Sequence, residues 1–85
     1  MRITLKYFAS LRESLGSGGP LDWTPEAAPT AAALRAWLRT QSPAHAQALA
    51  PERAVRVAVD QALVDESAPL NEGAEVAFFP PVTGG

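Results

Sequence analysis

Thr30-Ala31-Ala32-Ala33-Leu34-Arg35-Ala36-Trp37-Leu38-Arg39 is the stretch on which the fold turns. Thr30 is a natural N-cap, and Leu34, Trp37 and Leu38 fall on one face at helical spacing. Arg35 and Arg39, four apart, are expected on the opposite side. Ser42-Pro43 ends the helix, because a residue before proline is pushed out of the helical region. Ala44 to Ala50 is helix-prone and reads as an extra turn before Pro51. A helix with one apolar stripe has one face to cover, and the flanking segments supply the cover as strands.

On the N-terminal side, Ile3, Leu5 and Tyr7 alternate with Arg2, Thr4 and Lys6, the period of a half-buried strand. Ser10-Leu11-Arg12-Glu13 reads as a capping box for a short helix that Gly16 stops. Ser17-Gly18-Gly19-Pro20 reads as a flexible turn, with a short strand around Leu21-Asp22-Trp23. On the C-terminal side, Val55, Val57 and Val59 alternate with Ala54, Arg56 and Ala58. Asp60-Gln61 is a turn, Leu63-Val64 a short returning strand, and residues 69–73 another tight connection. Glu75 to Phe79 is a last strand, ended by Pro80 and Pro81, which cannot donate to a ladder. The order predicts an α+β domain over residues 1–80, one main helix across a mixed sheet, and a flexible tail over 81–85.

Composition narrows the function. At 85 residues the chain is one small domain. It has no cysteine, so neither disulfides nor cysteine-ligated metal can support it. The net charge of −2, with Arg2, Lys6, Arg12, Arg35, Arg39, Arg53 and Arg56 scattered among acids, gives no nucleic-acid footprint. No apolar run is long enough to span a bilayer, so no membrane partner is expected. The first residues lack the apolar core of a signal peptide, and the expected compartment is the cytoplasm.

Enzyme-like constellations fall short. His45, the one histidine, lacks a paired acid nearby. Asp65 and Glu66 read as solvated acids in a polar turn. Gly16-Ser17-Gly18-Gly19 lacks the lysine a phosphate loop needs. No metal site is expected.

The C-terminus differs. After Pro80-Pro81 the chain runs Val82-Thr83-Gly84-Gly85. Five residues from Pro81 extend roughly 17 Å when fully stretched. Two glycines remove every side-chain atom from the tip, so it fits a slot too narrow for other residues. Its carboxylate is a poor electrophile that becomes a good one as an acyl-adenylate, and exchange of one oxygen for sulfur leaves a soft nucleophile on a tether. A frayed tail is the plain alternative, since terminal residues are often untied. Two aromatic residues favour a docking role: Phe8 follows the polar-face positions Arg2, Thr4 and Lys6, and Phe79 shares its strand face with Glu75 and Ala77. Both are expected on wet faces, where they would form an interaction patch.

Residues 7–16, Tyr7-Phe8-Ala9-Ser10-Leu11-Arg12-Glu13-Ser14-Leu15-Gly16, resemble the N-terminal signature of molybdopterin synthase small subunits. Residues 69–85, ending Phe78-Phe79-Pro80-Pro81-Val82-Thr83-Gly84-Gly85, resemble their C-terminal block. Ala58-Val59-Asp60-Gln61 matches a shorter stretch, where asparagine is commoner at position 60. The similarity spans nearly the whole chain and is weakest over residues 17–52. It implies a ubiquitin-like β-grasp fold and a sulfur carrier that is the non-catalytic, sulfur-donating subunit of a heteromeric sulfurtransferase. An E1-like adenylating enzyme, which binds the ATP, would activate Gly85, and a sulfur donor would convert it to a thiocarboxylate. Gly84 would give steric clearance. The tail would enter the large subunit, in a heterotetramer, and pass sulfur to cyclic pyranopterin monophosphate to form the molybdopterin dithiolene. Phe8, Leu63, Phe79, Pro80, Pro81, Val82 and Thr83 would form the partner interface, and no cofactor would be bound by the chain itself. Other outcomes of the same tail are a carrier feeding thiazole, tRNA thiolation or cysteine synthesis, and a protein modifier joined through Gly85 to lysines. A purely structural binding domain is the third.

Overall fold

The structure is a computed structural model, and it describes residues 1–81. Eight elements follow in order: β1 (Arg2–Tyr7), α1 (Ala9–Leu15), β2 (Gly18–Asp22), α2 (Ala31–Leu38), α3 (Pro43–Ala48), β3 (Arg56–Val59), β4 (Ala62–Val64) and β5 (Glu75–Phe79). The strands form one sheet in the order β2-β1-β5-β3-β4. The central pair, β1 and β5, is parallel, and the other pairings are antiparallel. With α2 laid across one face, this is the expected α+β design, a β-grasp.

The alternation read in β1 sets the inner face. Ile3, Leu5 and Tyr7 are buried and meet Val76 and Phe78 of β5, Val57 of β3, and Leu34 and Leu38 of α2. The Tyr7 and Phe78 rings stack with centroids 6.4 Å apart, as their cross-strand register requires. Thr30 caps α2 as its type predicts, its hydroxyl accepting from the Ala33 amide at 3.1 Å. Pro43–Ala48 form the extra helix, with Ser42 as its cap accepting from the His45 amide at 3.1 Å and Pro43 in the first turn.

The Asp60-Gln61 turn closes β3 onto β4 with both residues at positive φ, 50° and 68°, the backbone a two-residue hairpin of right-handed twist requires. Asp60 adds a side-chain tie, its carboxylate accepting from the Glu75 amide at 3.0 Å.

Three local expectations need correction. The capping box does not form: α1 begins at Ala9 and its cap is Phe8, with no side-chain hydrogen bond. The Phe8 carbonyl already accepts from the Leu11 and Arg12 amides, and Ala9 turns the chain at φ 54°. Ser10 therefore falls inside the first turn. The glycine turn is shorter than read, because Gly18 and Gly19 are already in β2, paired with Lys6 and Leu5. Gly18 sits at φ 94°, where a Cβ would lie 2.3 Å from the Leu5 carbonyl oxygen, so only glycine lets β2 approach β1 there.

The third correction is Arg35. It is not on a wet face but only 5% exposed. Its Nε donates to the Leu49 carbonyl at 3.0 Å, and Nη2 to those of Ala50 at 2.6 Å and Arg53 at 3.0 Å. Nη1 pairs with the Glu66 carboxylate at 2.6 Å. Glu66 is thus not a free loop acid either. Its carbonyl also accepts the Ala32 amide, so it clasps the start of α2 from two sides. One guanidinium ties α2, the 49–53 segment and the β4–β5 connection into a single body.

Candidate functional site

The parallel β1–β5 pair decides where the chain's last residues emerge. Tyr7 lies opposite Phe78, so both strands finish at one end of the sheet. There the Phe8 amide donates to the Phe78 carbonyl at 3.2 Å. β3 is antiparallel to β5 and starts at the same end, with Arg56 opposite Phe79. The roots of α1, β3 and the C-terminal residues therefore cluster.

The outer face of the sheet at this end is apolar. Among the described residues the exposed large hydrophobics are Phe8, 45% exposed, and Leu63, 63% exposed. Leu63 is opposite Ala58, and Ala58 opposite Ala77, so the three share the face that Phe79 continues. The small Ala58 and Ala77 make a floor, with Leu63 on one side and the two phenylalanines on the other. At about 4.8 Å between strands, Leu63 and Ala77 stand roughly 10 Å apart.

Phe79 is half-buried rather than fully wet, as are Pro80 and Pro81. Ala77, expected on the wet face, is buried, because Lys6 and Ala58 flank it in register. The four residues Val82, Thr83, Gly84 and Gly85 lie outside the described residues.

Charge is sorted along the same face. Lys6, opposite Ala77, pairs with Glu75 at 3.0 Å, and Arg2 pairs with Asp22 at 2.7 Å towards the end of the sheet away from Phe79. Arg56, opposite Phe79 and without an ion pair among the described residues, places a second cation beside the apolar strip. Asp65 stands in the 65–70 turn, its carboxyl held below the usual range by hydrogen bonds from the backbone and side chain of Ser67.

His45 is placed structurally. Its Nδ1 lies 2.7 Å from the Ser42 hydroxyl, and its ring meets Tyr7 edge-on at 6.5 Å. Burial pushes the Tyr7 phenol up to about 12. Among the described residues no group of three His, Asp or Glu side chains is arranged to hold a metal ion. No helix of the described residues is long and apolar enough to cross a membrane.

Sequence reasoning missed the Ala58 and Ala77 floor. Their signal was present in the alternation of β3 and β5, which sets both opposite core positions. What hid them was their size, since small residues announce no contact. Leu63 came from the resemblance, and the structure sets it on the edge strand β4, on the same sheet face as Phe79.

The fold and this surface define a ubiquitin-like β-grasp domain whose last strand leads into a glycine-ended tail. Residues 5–85 match the ThiS family, a match that runs through Gly84 and Gly85. The chain is 46% identical over 85 residues to the molybdopterin synthase sulfur carrier subunit of Escherichia coli (strain K12), covering 98% of this chain and 99% of that one. Among solved structures, SAMP1 from Haloferax volcanii has a TM-score of 0.77 over all of both chains at 24% identity. The molybdopterin-converting factor from Helicobacter pylori 26695, a complex of subunits 1 and 2, has a TM-score of 0.67 over all of both chains at 22% identity. Those two likenesses bear on the fold. The chain belongs to the ThiS family, as a full-length relative of the molybdopterin synthase sulfur carrier subunit.

Proposed function

We propose that this chain is the sulfur carrier subunit of a molybdopterin synthase, holding sulfur as a thiocarboxylate on Gly85. The observation that carries the reading is full-length kinship at 46% identity to a sulfur carrier of that enzyme, in a family match that includes Gly84-Gly85.

An E1-like enzyme uses ATP to join the Gly85 carboxylate to AMP, with release of pyrophosphate. A sulfide-level donor then attacks the acyl carbon through sulfur and AMP leaves. Hydrosulfide gives the thiocarboxylate directly; with a persulfide, a second thiol cleaves the S–S bond, leaving the thiocarboxylate and a disulfide. The tail enters the large subunit, in a heterotetramer, and the sulfur passes to cyclic pyranopterin monophosphate. Two such deliveries complete the dithiolene. The ATP-dependent charging is placed in the cytoplasm.

The division of labour follows from physical limits. A preorganised reaction pocket needs a supporting shell that a domain of this size hardly supplies. A docked tether instead makes transfer nearly intramolecular. Phe8, Leu63 and Phe79 provide the apolar grip, and Pro80-Pro81 stop the ladder so that the tail leaves the sheet.

The test is reconstitution of molybdopterin formation with the large subunit and the charged carrier. Deleting Gly85, or adding one alanine after it, should abolish sulfur transfer while leaving thermal stability unchanged. Transfer that survives either change sinks the reading. Lysine-linked conjugates lost on Gly85 deletion, without any dithiolene product, would point to a protein modifier instead.

A further inference from the structure

A groove of about 400 Å³ runs between α1 and α3. Leu11 and Ala48 form its buried floor, and its rim is Ser10, Ser14, Ala44, Gln47 and Arg53. Ser10 and Ser14 are one helical turn apart on α1, so both hydroxyls face α3. The rim offers hydroxyls, one amide and one guanidinium, and no acid. Glu13 and Glu52 are sequence neighbours of rim residues but do not line it. Two other clefts, of about 240 and 540 Å³, carry no cation on their walls.

Arg53 is held for this position by its backbone. Its carbonyl accepts from Arg35 at 3.0 Å and its amide donates to the Ala50 carbonyl at 2.9 Å. Its side chain is exposed and takes no hydrogen bond or ion pair among the described residues. Arg2, Lys6 and Arg35 are each paired with an acid, and of the arginines without an ion pair among the described residues, Arg12, Arg39, Arg53 and Arg56, Arg53 is the one that lines a cleft. A fixed backbone with a free guanidinium over a polar rim presents a planar donor set suited to a carboxylate.

The groove also has a telling location. Ser10 is two residues past Phe8, whose amide bonds Phe78, and Arg53 is three residues before Arg56, which faces Phe79. The groove thus opens at the end of the sheet where the tail leaves, around the corner from the Phe8–Phe79 strip. A protein that swallows the tail and covers that strip reaches the groove without leaving the surface.

We propose that the α1–α3 groove receives an aspartate or glutamate side chain of the large subunit, held by the Arg53 guanidinium and the Ser10 and Ser14 hydroxyls. This rests on the sulfur-carrier reading and extends its docking surface by one charged contact. The chain's net charge is −2, so an acidic partner segment meets general repulsion and is best accepted where an unpaired cation stands over a cleft, as Arg53 does. The groove therefore sets register as well as affinity.

The test is the affinity of the full-length chain for the large subunit at low and physiological salt. Arg53→Ala should weaken binding about 10-fold and Arg53→Glu about 100-fold, with a flatter salt dependence. Ser14→Ala should weaken it about threefold, and Arg12→Glu, off the groove, less than twofold. Melting temperatures should stay at the wild-type value, since the Arg53 tie to the fold is through its backbone. All the Arg53 variants should still be charged by the activating enzyme at the wild-type rate. Wild-type binding with Arg53→Glu within twofold overturns the groove and leaves the carrier role standing. Equal losses for Arg12→Glu, or loss only towards the activating enzyme, also overturn it. Failure of the wild-type chain to bind the large subunit overturns both.

Discussion

Replacing Arg35 with methionine keeps an unbranched apolar stem and removes the charge and every donor. In the wild-type protein those donors serve three backbone carbonyls and the Glu66 carboxylate, at 2.6 to 3.0 Å. The Ala50 and Arg53 carbonyls lie at or near solvent and regain water when the guanidinium goes. The Leu49 carbonyl belongs to a fully buried residue, and its lone pairs stay unsatisfied. A stranded buried acceptor costs about 1–3 kcal/mol. The pair with Glu66 is discounted, because that carboxylate is 37% exposed, and adds about 1 kcal/mol at most. Loosening of the 49–53 segment from α2 brings the total to about 3 kcal/mol, at the low end for a broken buried ion pair. For 85 residues the expected stability is about 4–13 kcal/mol, so the loss is a large fraction of the whole. It corresponds to a fall of roughly 15–20 °C in Tm. Urea unfolding followed by circular dichroism measures it, and hydrogen exchange at residues 49–53 locates it. Arg35→Lys should recover only part of the loss, because one ammonium cannot span four acceptors. Arg39→Ala, half-buried and without such partners, should cost less than about 0.5 kcal/mol. If Arg35→Met unfolds within about 1 kcal/mol of wild type, the guanidinium does not hold these segments together and the account of the fold is wrong at its centre.

The Tyr7 phenol provides a pH test, and as the one tyrosine its phenolate absorbance is unambiguous. Its folded pKa is about 12 against 10 for the free group, so the neutral form is favoured in the fold. The resulting stability is intact below pH 10 and is lost as pH rises from 10 towards 12; titration near 10 in the folded protein would refute the burial. Gly18→Ala should destabilise by about 2 kcal/mol or more, read from the urea midpoint, because its Cβ would meet the Leu5 carbonyl at 2.3 Å. Thr30→Ala should cost about 1 kcal/mol in the same assay through loss of the cap on α2. Phe8→Ala and Leu63→Ala should each weaken large-subunit binding at least about fivefold with a change in stability below about 0.5 kcal/mol; a fall in Tm without a change in affinity would assign them to packing instead.

Local signals carried much of this architecture. The Thr30 cap, the alternation of Ile3, Leu5 and Tyr7, and the Asp60-Gln61 turn were readable because each depends on residues a few positions apart. Arg35 was not, since its neighbour on the helical wheel is solvent until the 49–53 carbonyls arrive from elsewhere in the chain. Ser10 misled for a related reason. The capping pattern is real, but Phe8, tied to the sheet through its amide, caps the helix two residues earlier. The strand order β2-β1-β5-β3-β4 turns on the β1–β5 pairing, in which Thr4 meets Glu75 from the other end of the chain, beyond the reach of periodicity. That order is also what brings Phe8, Phe79 and the root of the tail to one end. The apolar strip was therefore legible as residues but not as a surface, and the sulfur chemistry came from resemblance to a family.

The central claim is that Gly85 carries sulfur, and intact-mass analysis tests it most directly. The full-length chain is incubated with its activating enzyme, ATP and a sulfur donor, then digested to isolate the C-terminal peptide. The account predicts a mass gain equal to replacement of one oxygen by sulfur, confined to that peptide and absent when Gly85 is deleted. A free carboxylate that persists under conditions that charge the Escherichia coli carrier would contradict it.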